Sequence, residues 1–288
     1  MTMKIKKKDV AQALGFFLLR LCLGLVLFIL ILFLYDIIRK GAGSLTWEFL
    51  TKPPRRGMSE GGIFPAIMGT FLVTIVTALL AVPLGIAAAI YLNEYARKSR
   101  LTRLIRLSLR NLSGVPSIVF GLFGVILFVN ILKFGTSILS AGLTLGLLTL
   151  PWTVTASEEA LKNVPNSFRE GALALGATKW QSIRTNVLPY ALPGMLTGTI
   201  LGLARAAGET APIMFTGAAF YLPFLPRSLK DQFMALPYHL YIMATQHHAI
   251  ETVRPLAYGT ALVLIMLVLG MNMAAVIIRH RLRRKSRM

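Results

Sequence analysis

The chain has 288 residues, of which 55% are hydrophobic and only 15% charged, with a mean hydropathy of +0.67. Soluble domains are about 45–50% apolar and about 25% charged, so a single water-soluble core and intrinsic disorder are both excluded, and a multi-span membrane protein is expected. The 31 Lys and Arg against 11 Asp and Glu would point to nucleic acid in a soluble chain, but here they cluster beside apolar runs, as residues that orient membrane proteins do. The one cysteine, Cys22, excludes an intramolecular disulfide and a cysteine-based metal site.

Charge-free runs mark the spans, because a membrane helix needs about 20 apolar residues. Residues 21–35 are uncharged, and the apolar run reaches back to Ala11 if Arg20 snorkels to the interface. Lys4, Lys6, Lys7 and Lys8 before it imitate a signal peptide. The run is too long for an h-region and no small-x-small site follows, so an uncleaved anchor is expected. Residues 61–93 are uncharged over 33 positions. Residues 111–157 carry one charge, Lys133, and read as two spans hinged near residues 130–135. Residues 185–204 and 255–278 supply a fifth and a sixth span. Residues 210–226 hold Pro212, Pro223 and Pro226 and read as the end of the fifth helix plus a loop. The expected fold is therefore all-α and polytopic, with six transmembrane helices. Lys and Arg number 20 on the side of the N-tail, residues 93–110, residues 157–190 and the C-tail, against 9 on the other. This bias puts both termini in the cytoplasm.

Residues 157–190 form a long cytoplasmic loop. Pro165 stops one helix, Asn166 or Ser167 caps the next, Gly176 ends it in a left-handed conformation and Thr178 starts another. Trp180, Ile183 and Val187 then fall on one helical face, and Pro189 and Pro193 are expected to break that helix before the next span. Gly171-x4-Gly176-Ala177-Thr178 imitates a phosphate-cradling loop, but Ala177 stands where the lysine must be and no strand precedes it. ATP hydrolysis by this chain is not expected.

The fifth span ends in an ion pair. With Gly198 at zero and about 100° per residue, Gly194 falls near −40°, Gly202 near 40°, Arg205 near −20° and Glu209 near 20°. The glycines permit close helix approach, and Arg205 and Glu209 sit where that seam opens. In a span starting at Leu192, Arg205 lies about 18 Å along, near the midplane of a roughly 30 Å core. A charge there costs about 2.5–3.5 kcal/mol and survives by facing protein or a water-filled path. One reading is a pair that locks two helices. The other is an anion path, because a guanidinium offers planar paired donors to an oxyanion. Glu209 would accept a hydrogen bond from a protonated phosphate, which sulfate cannot give, and would keep affinity low enough for release. Residues 114–124, with Pro116 and small residues, read as a broken helix lining the path, with Ser117 near the anion.

The loop at 157–190 resembles the EAA motif of ABC-importer permeases: Glu170-Gly171-Ala172 opens it, Gly176 follows at the family interval and Leu188-Pro189 closes it. Gly171 for the first Ala and Asn186 for an Ile depart from the pattern. Arg205-Ala206-Ala207-Gly208-Glu209-Thr210-Ala211-Pro212 is similar to the hallmark of phosphate ABC-importer permeases of the PstA type, and residues 61–67, 81–92 and 114–121 extend the likeness. The resemblance implies a type I importer permease fold. Residues 1–60 would hold the N-terminal tail, first span and outer loop, 61–280 the permease core, and 281–288 a basic tail. It implies a coupling helix over about residues 166–175, with Arg169, Glu170, Gly171, Ala172, Leu175 and Gly176 meeting an ATPase subunit. Phosphate passage would fall to Arg205 and Glu209. It further implies a PstC-type sister permease, a PstB-type ATPase dimer that carries ATP and Mg, a PstS-type phosphate-binding protein, and residence in the bacterial cytoplasmic membrane. No cofactor is expected in this chain. A permease of the same fold for molybdate, sulfate or phosphonate is the alternative. A transporter acting alone is disfavoured by the coupling loop and by the lack of an inverted repeat.

The remaining features read as structural. Lys133, Arg227, Lys230 and Arg254 lie on the outer side, where a solvated loop accounts for them. His239, His247 and His248 lack ligand spacing and acidic companions. The C-terminal basic run is expected to meet anionic lipid.

Overall fold

The structure, a computed structural model, describes residues 7–285. Lys4, Lys6 and Arg287 of the expected basic tails lie outside the described residues. Five helices are long and apolar enough to cross a membrane, and a bent pair supplies a sixth span by length and composition.

Helix α1 (Lys7–Gly41) leads, its apolar middle exposed along its length. Among the described residues its end packs on this chain, where a Cβ at Gly41 would sit 2.7 Å from the Tyr258 carbonyl. A short helix α2 (Trp47–Thr51) and a hairpin of β1 (Pro54–Arg55) and β2 (Glu60–Gly61) follow. Helix α3 (Phe64–Ile90) begins with Pro65, whose missing N–H costs nothing in a first turn, and closes in a π turn, Tyr91–Tyr95. Helix α4 (Arg100–Leu112) starts at Ser99, whose hydroxyl accepts from Thr102 N–H. It meets α5 (Ser117–Gly124) at a bend of 103°, because Pro116 lacks an N–H and drives Val115 out of helical geometry.

The hinge expected near residues 130–135 is present. Helix α5 continues through a π turn, Val125–Ile131, and the chain reverses with positive φ at Lys133 and Gly135. The third span is short, however: about 15 residues, or roughly 22 Å. Of the uncharged residues 111–116, Asn111 and Leu112 end α4 and 113–116 form the bend, so none of them lengthens this span.

Helix α6 (Ile138–Lys162) is the axis of the fold, with α3 on one side and α9 (Leu188–Ala206) on the other. Small residues set these distances: a Cβ at Gly85 would lie 2.5 Å from Thr153, and one at Gly146 2.6 Å from Leu80. Val154, Leu161, Val187, Ala191 and Met195 fill the space between α6 and α9. Helices α7 (Asn166–Ala174) and α8 (Lys179–Ser182) cover the end of the bundle where α4 also lies.

Two expectations about the fifth span are corrected. Pro189 and Pro193 do not break it. A π turn, Ile183–Val187, carries α8 into α9, Pro189 falls in the first turn of α9, and Pro193 lies inside the helix, so the run Lys179–Ala206 is continuous. The helix also ends earlier than its charge pattern suggested. Gly208 and the Ala211-Pro212 start of α10 (Ala211–Thr216) interrupt it, leaving Glu209 in the turn rather than on the helix. The segment after α10 is ordered by α6: the Ile138 and Leu139 N–H groups donate to the Asp231 and Leu229 carbonyls, and Phe233 is fully buried. Helices α11 (Leu236–Thr245) and α12 (Ile250–Lys285) complete the chain.

Candidate functional site

A cavity of about 270 Å³ opens where the bend between α4 and α5 faces the end of α9. One water takes about 30 Å³ in the liquid, so the space exceeds a single solvent site. Arg205, Glu209, Ser117, Trp152 and the bend residues Leu112–Pro116 line it. The three residues that sequence reasoning placed on the path thus meet in one cavity.

Arg205 stands in the last turn of α9, its guanidinium carbon 5.0 Å from the centre of the Trp152 ring. This stacking holds the planar cation without using its in-plane N–H groups. Nε lies 3.7 Å from Glu209 Oε1, an ion pair too long for a hydrogen bond. Among the described residues the guanidinium donates to no protein acceptor, and its side chain is 53% exposed, so its donors face the cavity. Glu209 is only 17% exposed and faces the same space. Ser117 opens α5 with no side-chain cap, so the first amides of that helix present partial positive charge to the cavity. The arrangement suits a tetrahedral oxyanion: one fixed cation, a hydroxyl, helix-start amides, and one acceptor for a protonated oxygen.

The glycine seam forms as expected. Gly194 faces Ala160, Gly198 faces Ala156, and Gly202 faces Thr149 and Trp152, so the seam on α9 packs on α6 and brings Trp152 to Arg205. Trp152 and the bend amides were not singled out from sequence. A Pro116-Ser117 helix start was the available signal for the amides. Nothing in the run around Trp152 marked it as a stacking partner.

At the other end of α9, Arg169 reaches from α7 into the bundle. Its Nη2 is 2.7 Å from Glu94 Oε1 and its Nε 3.2 Å from Glu94 Oε2, while Nη1 and Nη2 also donate to the Val164 and Leu161 carbonyls at 2.9 and 3.0 Å. One side chain therefore ties α7 both to the π turn after α3 and to the last turn of α6. Glu170, Gly171, Leu175 and Gly176 face outward, Leu175 being 91% exposed, whereas Ala172 is buried. Gly176 has φ +82° and closes α7 with the Ala177 N–H to Ala172 carbonyl and Gly176 N–H to Leu173 carbonyl bonds of a Schellman end. Thr178 and Gln181 form a capping box at the start of α8, whereas Pro165 occupies the cap of α7 and neither Asn166 nor Ser167 caps it. The structure thus presents an apolar edge, Leu173 and Leu175, around a fixed turn, away from the bundle.

The family described as "Binding-protein-dependent transport system inner membrane component" matches residues 81–287. Among curated proteins, the "Probable ABC transporter permease protein YqgI" of Bacillus subtilis is 33% identical over 88% of this chain and 90% of its own length. The "Phosphate transport system permease protein PstA 1" of Mycobacterium tuberculosis is 38% identical over 79% of this chain and 73% of its own length. Of solved structures, a bacterial ABC transporter importing the acidic polysaccharide alginate aligns with a TM-score of 0.65 over 96% of this chain and 98% of that one, at 14% identity. The inward-facing MetNI methionine transporter aligns with a TM-score of 0.58 over 77% and 94%, at 19% identity. At these identities the two structures speak to architecture alone.

Proposed function

Because the chain belongs to the binding-protein-dependent transport system inner membrane component family, we propose that it is the PstA-type permease of an ATP-driven phosphate importer, a non-catalytic subunit that forms half of the translocation path. The phosphate assignment draws on relatives described as phosphate transport permeases, 35–38% identical over most of the chain. The observation that carries the reading at the site is the unspent guanidinium of Arg205, stacked on Trp152 and turned into a cavity shared with Ser117 and Glu209.

In this reading Arg205 and the first amides of α5 replace part of the water around the anion, and Ser117 donates or accepts one further bond. Glu209 accepts a hydrogen bond from the P–O–H of a monohydrogen phosphate and lowers the affinity of the site, so that the solute leaves. Specificity of capture resides in an external binding protein, of the PstS type, and the second half of the path in a PstC-type sister. Helix α7 and the turn at Gly176 seat in a PstB-type ATPase dimer, which binds ATP and Mg. Both termini face the cytoplasm of a bacterium whose inner membrane holds the complex. The test is phosphate uptake into proteoliposomes holding the purified complex. Uptake that needs ATP and phosphate-loaded binding protein, and that sulfate, molybdate and phosphonate do not share, supports the reading. ATP-independent uptake, or preference for another oxyanion, overturns it.

A further inference from the structure

Helix α4, apart from Leu112 at its end, is not accounted for by the transport path. Its 13 residues lie across the direction of α5, turned from it by 103°, at the same end of the bundle as α7. With Arg100 at zero and about 100° per residue, Leu104, Leu101, Leu112 and Ile105 fall between about 40° and 140°, and Arg106, Arg110 and Arg103 between about 240° and 300°. Two sectors are therefore opposed along one short helix. The protein takes the edge between them: Thr102 is buried, Arg106 Nε lies 2.8 Å from Glu158 Oε1, and Arg106 Nη2 donates to the Leu92 carbonyl at 2.8 Å. That contact fixes the roll of the helix and leaves the leucine face uncovered by this chain.

Apart from Arg106, the charges of the opposed sector and of the segment before it lack partners. Arg97, Lys98, Arg100, Arg103 and Arg110 are all exposed, and none forms an ion pair among the described residues. No acidic residue occurs between Glu94 and Glu158. An exposed leucine ridge opposed by unpaired cations, on a helix laid across the spans, has the character of an interfacial membrane helix. A neighbouring protein covering this ridge would have to supply acidic groups to all these cations at its edge, whereas a bilayer of phosphate headgroups supplies them uniformly.

We infer that α4 is a docking surface for anionic lipid: Leu101, Leu104 and Ile105 enter the acyl boundary while Arg100, Arg103 and Arg110 bind phosphate headgroups of the leaflet at the α7 end. Each cation near an anionic surface multiplies membrane preference by about fivefold, so these three together favour an anionic over a neutral bilayer by on the order of a hundredfold. The helix seats fully on phosphatidylglycerol and loosely on phosphatidylcholine.

Cys22 is the chain's one cysteine, which makes a site-directed probe simple. A C22S/L104C double variant is spin-labelled and assembled with its partner subunits in nanodiscs of pure phosphatidylcholine, or with about one third phosphatidylglycerol. C22S alone must retain transport. The expected label at 104 is accessible to oxygen, shielded from a water-soluble nickel chelate, and deeper when phosphatidylglycerol is present. Changing Arg100, Arg103 and Arg110 to Gln abolishes the phosphatidylglycerol-dependent deepening. A label open to nickel, or closed to both reagents because protein covers it, overturns the inference. So does a depth that ignores phosphatidylglycerol or survives loss of the three arginines.

Discussion

Replacing Arg169 with Met keeps the length of the side chain and removes its charge and donors. In the structure this leaves the Glu94 carboxylate, 6% exposed, without its cation, and the Val164 and Leu161 carbonyls without donors. Stranding one member of a buried pair costs about 3–5 kcal/mol. Arg169 is itself 21% exposed and the pair lies at the end of the bundle, so about 2–3 kcal/mol is the reasonable figure after solvent screening. At about 1.4 kcal/mol per decade, the ratio of seated to unseated α7 falls roughly 30- to 150-fold. Two readouts in the purified complex follow this. Amide hydrogen exchange over residues 166–178 accelerates, and stimulation of ATPase by phosphate-loaded binding protein falls at least tenfold while the subunits still assemble. Glu94→Gln, which keeps an acceptor for Arg169, has a smaller effect on both. Wild-type exchange and wild-type stimulation in Arg169→Met would refute the view that this side chain holds the coupling helix to the spans.

Three further outcomes are expected. Gly198→Val forces a branched side chain into Ala156 and destabilises the α6–α9 seam by about 1–3 kcal/mol, seen as a lower thermal midpoint; Gly270→Ala, in open space, is silent. Glu209→Gln lets sulfate compete with phosphate for uptake, or slows release of the anion; unchanged transport and unchanged selectivity would contradict its assigned role. His239 in α11 is fully buried, and burial first, then nearby His247, push its pKa down to about 4. A folded pKa below the unfolded value of about 6.5 means that the unfolded chain binds the extra proton, so stability is present above pH 6.5 and is lost as pH falls toward 4. The loss reaches at most about 3 kcal/mol. Thermal scans at pH 5 and pH 7.5 should show it, and His239→Gln should flatten it.

What could be read from sequence divides by physical cause. The spans, the hinge at Lys133 to Gly135 and the left-handed end at Gly176 follow from local rules, charge-free length and glycine conformation, and all are present. The glycine seam was legible because it needs only helical periodicity. The break after Ala206 was not, because it depends on Gly208 and on Pro212 starting a new helix packed against Gly121 of α5. Continuity through Pro189 was missed for a related reason: a π turn absorbs the absent donor, and nothing local signals one. Trp152 beneath Arg205 and Glu94 beside Arg169 join residues 53 and 75 positions apart, which only the packed fold brings together. Arg169 shows the difference most clearly. The resemblance implies that Arg169 meets an ATPase subunit, and in the structure its donors go to Glu94 and to the Val164 and Leu161 carbonyls of this chain.

In the proposed path the cation in the cavity touches the solute that crosses there. Charge-assisted hydrogen bonds of the kind Arg205 offers are worth about 1.5–3 kcal/mol, or roughly 10- to 150-fold. The direct measurement is phosphate uptake and ATPase turnover by the intact complex in proteoliposomes, wild type beside Arg205→Gln. Uptake lowered at least tenfold, with assembly and basal ATPase retained, is the predicted result. Wild-type uptake by Arg205→Gln would contradict it.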